Sequence, residues 1–133
     1  MVIVDTNVLA YLLISGDRTR EAQALFRRNA DWRSEGFILV EFSNVLVTYL
    51  RAGALSATQA HGLLAQAERQ MKSLVTVPHD AALRVAGQFG VSAYDARFLA
   101  AAERFGGRLV TEDARLRAAA PARTIGLAEM LST

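Results

Sequence analysis

The chain opens Val2-Ile3-Val4-Asp5-Thr6-Asn7, three apolar residues closed by an acid and two polar neighbours. A short, bounded, β-branched run without polar alternation suits a strand covered on both faces. Comparable runs recur at Phe37-Ile38-Leu39-Val40, Leu74-Val75-Thr76-Val77, Arg108-Leu109-Val110-Thr111 and, more weakly, Thr124-Ile125. Helical patterns separate them. Glu21 to Arg28 follows Asp17, a candidate N-cap region. From Glu41 onward, Phe42, Val45, Leu46, Tyr49 and Leu50 fall on one helical face that Gly53 terminates. Ser56-Ala57-Thr58-Gln59 has the form of a capping box. Asp80 is placed to cap a helix that stops at Gly90, and Ser92 to open another stopped by Gly106-Gly107. Strands alternating with helices predict an α/β domain with a mainly parallel central sheet.

Composition bounds the rest. The 133 residues suffice for one domain with its own core, and 52% hydrophobic with 21% charged residues describes a globular chain. The absence of Cys excludes a disulfide scaffold, a thiol nucleophile and thiolate metal sites. The longest apolar run, Val8 to Ile14, is too short to span a bilayer, and the start lacks a basic n-region, so the expected location is the cytoplasm. Of the 15 basic residues only Lys72, expected in a helix before the third strand, is lysine.

Four acids stand out by position. Asp5, Glu41 and Asp113 each follow a strand-like run, and in an open parallel sheet ligands bind beyond the carboxyl ends of the strands. Glu41, Asn44 and Thr48 form a polar stripe; a favourable helix-dipole position explains Glu41 alone equally well. Asp95 heads the stripe Phe98, Leu99, Ala102, although Ser92-Ala93-Tyr94-Asp95 also fits a capping box. Thr111 could cap the helix after Asp113, with Glu112 pointing elsewhere. Asp17, Asp31, Glu35, Asp80 and Glu103 read as caps, loops or solvated faces. Carboxylates gathered together raise one another's pKa, which a bound cation relieves. Oxygen ligands without Cys select Mg²⁺ or Mn²⁺ over Zn²⁺. His61, in a helix, and His79, in a loop after Pro78, read as surface residues.

Asp5-Thr6-Asn7, Glu41-x-x-Asn44, Ser92-x-Tyr94-Asp95-Ala96 and Thr111-x-Asp113 resemble, in order, the motifs of PIN-domain ribonucleases. Length and motif order are similar to those of stand-alone VapC-type toxins of toxin–antitoxin pairs. The resemblance implies a single PIN domain over residues 1–133, a Rossmann-like three-layer sandwich around about five strands. It implies a metal-dependent endoribonuclease in which Asp5, Glu41, Asp95 and Asp113 are the catalytic and metal-binding acids for Mg²⁺ or Mn²⁺. Asn7, Asn44 and Thr111 would support them. Hydrolysis of an RNA phosphodiester would leave a 5′-phosphate and a 3′-hydroxyl, with Asp5 or Asp95 orienting the water. A homodimer and a cognate antitoxin blocking the site are implied as well. Many relatives carry one more acid after the last motif; here Ala114-Arg115-Leu116-Arg117 follows, which bears on a second metal position.

Two alternatives remain at this level. A different Mg-dependent phosphohydrolase would need other signatures: a phosphatase of the haloacid-dehalogenase type wants Asp where Asn7 stands, and a receiver domain wants an acid where Val77-Pro78-His79 stands. A catalytically silent RNA-binding or interaction module would have little need for four repelling acids. Aromatic residues such as Phe42, Tyr49, Phe98 and Phe105 read as core or dimer-face residues rather than stacking platforms, and Trp32 as a packing residue near a helix end. The charge balance fits a nuclease. With 15 bases against 13 acids the net charge is +2, but setting aside the four acids leaves 9 acids and a body of +6.

Overall fold

The computed structural model describes residues 1–133. In chain order the elements are β1 (Val2–Val4), α1 (Thr6–Leu13), α2 (Thr19–Arg28), β2 (Trp32–Glu35), α3 (Phe37–Arg51), α4 (Ala57–Gln70) and β3 (Ser73–Val75). Then follow α5 (His79–Phe89), α6 (Ala93–Phe105), β4 (Leu109–Val110), α7 (Ala114–Ala119), β5 (Thr124–Ile125) and α8 (Leu127–Leu131). The five strands form one parallel sheet in the order β3-β2-β1-β4-β5, flanked by helices, which is the expected α/β architecture. β1 is central: Ile3 stands in register with Arg33 on one side and Leu109 on the other. Helix α6 packs on β1, β2 and β4, while α1 to α4 and α8 pack among themselves. No helix is long and apolar enough to cross a membrane.

Burial explains the central strand. Val2, Ile3 and Val4 are all at most 2% exposed and sit inside one cluster of 29 buried apolar residues. Trp32 belongs to this core from strand β2, not from a helix end, and meets Phe26 edge-on at 5.3 Å.

The second strand is the principal correction. Phe37 to Val40 is not a strand but the first turn of α3, and β2 is the preceding Trp32-Arg33-Ser34-Glu35. The apolar run belongs to a 3.6-residue period: Ile38, Phe42 and Leu46 form one buried stripe while Val40 and Asn44 face out. The polar β2 is admitted because its polar groups find partners. Ser34 Oγ donates to the Val4 carbonyl at 2.7 Å, and Glu35 accepts the Phe37 amide at 3.1 Å. Glu35 is thus buried, not solvated, and ion-pairs with Arg97 at 3.4 Å.

Other differences are local. Helix α1, which overlaps the apolar run Val8–Ile14, was not singled out from the sequence, where Asp5 read as a strand-end acid rather than as the N-cap it is. Asp80 lies within the first turn of α5, where Pro78 holds the N-cap and fixes the entry without donating an amide. His79 therefore begins α5 rather than lying in a loop, and Lys72 falls after α4 rather than within it. Asp17 precedes α2 without capping it. The capping box at Ser56 and Gln59 forms with both hydrogen bonds, and Gly53, Gly90 and Gly106 end their helices with left-handed φ of 66 to 76°.

Candidate functional site

Asp5 leaves β1 and becomes the N-cap of α1. Its Oδ1 accepts the Val8 amide at 3.0 Å, and its Oδ2 accepts the Thr111 hydroxyl at 2.5 Å. The side chain is therefore fixed from two elements. Asp113 caps α7 in the same manner: Oδ1 accepts the amides of Arg115 at 2.9 Å and Leu116 at 3.1 Å. Thr111, fully buried after β4, links the two acids by donating to Asp5 and accepting the Asp113 amide at 3.1 Å. It does not cap α7 itself; Asp113 does.

Asp95 stands in the first turn of α6, whose N-cap Ser92 accepts the Asp95 amide at 3.0 Å. Only this half of the capping box forms, because the Asp95 carboxylate does not return to the Ser92 amide. Glu41 lies in the second turn of α3, not directly after a strand, and its Oε1 accepts the Thr6 hydroxyl at 2.6 Å.

These acids line one cavity of about 460 Å³ at the carboxyl edge of the sheet, together with Asn7 and Asn44. The apolar part of its wall is Phe37, Val40, Val45, Tyr94 and Phe98. Thr48 is not in the wall; its hydroxyl turns back to the Asn44 carbonyl at 3.1 Å. Glu112 points away, accepting the Leu127 amide at 3.0 Å and pairing with Arg18 at 3.5 Å and Arg117 at 3.8 Å.

The acids around Asp5 feel one another's charge. Burial pushes the Asp5 carboxyl from 3.8 up to about 6; the bonds from Thr111 and Val8 oppose this, and the Asp113 and Asp95 charges add to it. Asp95 is raised by partial burial and then by Asp113, with the nearby Ser92 hydroxyl acting the other way. The phenol of Tyr11 is raised by burial and then by Asp5, against Arg18. Asp5, Asp95 and Asp113 thus share one negative field, and Glu41 is held by the Thr6 hydroxyl.

No three of these carboxylates meet tightly enough to make a ready cage for an ion. The donor set nevertheless fits a hard divalent cation of the Mg²⁺ kind, which keeps several waters and takes one or two carboxylates plus substrate phosphate. Asp113 Oδ2, Glu41 Oε2 and the Asp95 carboxylate accept no hydrogen bond, and Asp5 Oδ2 accepts only the Thr111 hydroxyl, so these oxygens remain for such a ligand.

Thr6 received no role from the sequence, although it lies inside the first motif. Its partner is 35 residues away, so no local spacing carries that signal.

The model of the PIN domain family matches residues 2–121. Ribonuclease VapC3 of Pyrobaculum aerophilum is 27% identical over 124 residues, covering 90% of this chain and 95% of that protein. The crystal structure of PAE2754 from Pyrobaculum aerophilum superposes with a TM-score of 0.80 at 25% identity, covering 98% of this chain and 92% of that one.

Proposed function

The chain belongs to the PIN-domain family, and from that premise we propose that it is a metal-dependent endoribonuclease of the VapC toxin type, restrained by a cognate antitoxin. The observation that carries the proposal is the delivery of Asp5, Glu41, Asp95 and Asp113 to one cavity beyond the carboxyl ends of a parallel sheet. The likeness to a protein called a ribonuclease, over nearly the whole of both chains, supports the substrate class.

The ion would be Mg²⁺ or Mn²⁺, held by one or two of the acids Asp5, Glu41, Asp95 and Asp113, with waters and a substrate phosphate completing its shell. When bound, it supplies Lewis-acid activation of water and offsets the charge that builds on the phosphate. The chain does the rest. Asp5, locked by Thr111 and Val8, holds its position without reorganising when the substrate arrives. Asp113 presents Oδ2 while α7 fixes Oδ1. Asp95, bound least by its neighbours, orients the attacking water, and Asn7 and Asn44 present amides to the phosphate oxygens. The basic body draws the RNA backbone toward the acidic cavity.

The antitoxin would place a basic side chain among the four acids, and the toxin would act in the cytoplasm as a homodimer. Purified, antitoxin-free protein should cleave structured RNA with Mg²⁺ or Mn²⁺ and stop in EDTA, leaving 5′-phosphate ends. A metal-independent activity, or an Asp5→Asn variant as fast as the parent, would overturn the proposal.

A further inference from the structure

Tyr94 stands immediately before Asp95 in the first turn of α6, yet it is 62% exposed. One face of its ring is stacked on Phe37, with centroids 5.6 Å apart and planes 17° from parallel. The other face is open to solvent. Val40, 60% exposed, continues the apolar ridge.

This ridge divides two cavities. Phe37, Val40 and Tyr94 line the acid-bearing cavity on one side and a second cavity of about 430 Å³ on the other. The far wall of the second cavity is polar. Arg97 donates to the Val77 carbonyl at 3.0 Å and lies 2.6 Å from His79 Nδ1. A guanidinium has no acceptor, so Nδ1 takes the hydrogen bond and the neutral imidazole carries its proton on Nε2. His79 thereby offers an outward donor suited to a phosphate or base oxygen. Glu35 compensates much of the Arg97 charge.

A supported aromatic face beside an acid-lined cavity is suited to a flat aromatic ligand. Stacking on such a face tolerates any base and needs no strong local charge, which the Arg97–Glu35 pair does not provide. We infer that the Phe37–Tyr94 ridge is a nucleobase-stacking platform: single-stranded RNA lies with its scissile phosphate at the acids and the neighbouring base on Tyr94, its backbone passing toward His79. The inference rests on the ribonuclease reading for its ligand class.

The test uses a short single-stranded oligoribonucleotide and its counterpart lacking one base. Anisotropy in EDTA reports binding, and cleavage with Mg²⁺ reports KM and kcat. Tyr94→Ala should weaken binding and raise KM about tenfold or more with kcat little changed, and Tyr94→Phe should restore both. The abasic oligonucleotide should cost the parent protein a similar factor but cost Tyr94→Ala almost nothing. Equal affinity of parent and Tyr94→Ala for intact RNA overturns the platform whether or not cleavage is seen. A parent that binds no RNA overturns it too. A parent that binds with this pattern but does not cleave keeps the platform and removes the nuclease. If the ridge docks a protein segment instead, both variants will bind and cleave RNA as the parent does.

Discussion

Replacing Asp5 with Asn is expected to stabilise the ion-free protein at alkaline pH while destroying its activity. The carboxyl titrates near 3.8 when unfolded and about 6 when folded, so between those values the folded state holds more proton. Stability then falls as pH rises through that window, and the loss reaches about 3 kcal/mol above it. Asn keeps an oxygen for the Val8 amide, but its amide nitrogen now faces Thr111. The hydroxyl must accept where it donated, which its second lone pair allows while it still holds the Asp113 amide. Charging that rearrangement about 1 kcal/mol leaves Asp5→Asn about 2 kcal/mol more stable than the parent at pH 8. At pH 3.5, where both states of the parent are largely protonated, the variant should be equal or slightly weaker. Urea unfolding in EDTA at the two pH values measures this from the midpoints, provided the m-values agree. Added Mg²⁺ should then raise the parent's stability far more than the variant's, by about 2.7 kcal/mol at a hundredfold excess over the dissociation constant. A variant less stable than the parent at pH 8, or one displaced equally at both pH values, would refute the claim that the Asp5 charge is held against its solvation.

Two further substitutions probe contacts the cavity depends on. Thr6→Val removes the hydroxyl that holds Glu41 and should lower kcat on RNA about tenfold or more with a near-parental thermal midpoint, checked by steady-state cleavage and a melting scan. Arg97→Leu leaves Glu35 buried without its cation and should cost about 3 kcal/mol in urea unfolding, most of which the double variant with Glu35→Leu should recover.

What the sequence carried was the local part of the fold. The valine run of β1, the capping box at Ser56, the one-sided cap at Ser92 and the glycine stops at 53, 90 and 106 are all decided within a few residues. The failure at Phe37–Val40 has a physical cause. Four apolar residues fit a strand or a helix turn, and the deciding stripe Ile38-Phe42-Leu46 extends past the run. Glu41 accordingly lines the cavity for a reason other than the expected one: it projects from the second turn of a helix, not from a strand end. The true strand, Trp32-Arg33-Ser34-Glu35, was hidden because its polar groups are satisfied across the fold, by Val4 and by an arginine 62 residues away. Thr6 with Glu41 and Phe37 with Tyr94 are of the same kind. Spacing reports neighbours along a helix or strand; it does not report pairs that only the sheet order brings together.

The bland explanation of the acids and the chemical one prove to be compatible. Asp5 and Asp113 are helix N-caps, and Asp95 sits in the first turn of α6, so three of the four acids stand at the positive ends of helices entering from the sheet's carboxyl edge. The features that first argued against chemistry are what make a shared negative site affordable. They are not sufficient. With the Val8 and Thr111 bonds already acting, the Asp5 carboxyl is still raised to about 6. Glu41, one turn inside α3, depends on a single hydroxyl. The remaining charge is met either by protons, which Asp5 takes up near pH 6, or, in the proposed site, by a cation, which offsets the charge while leaving the oxygens unprotonated.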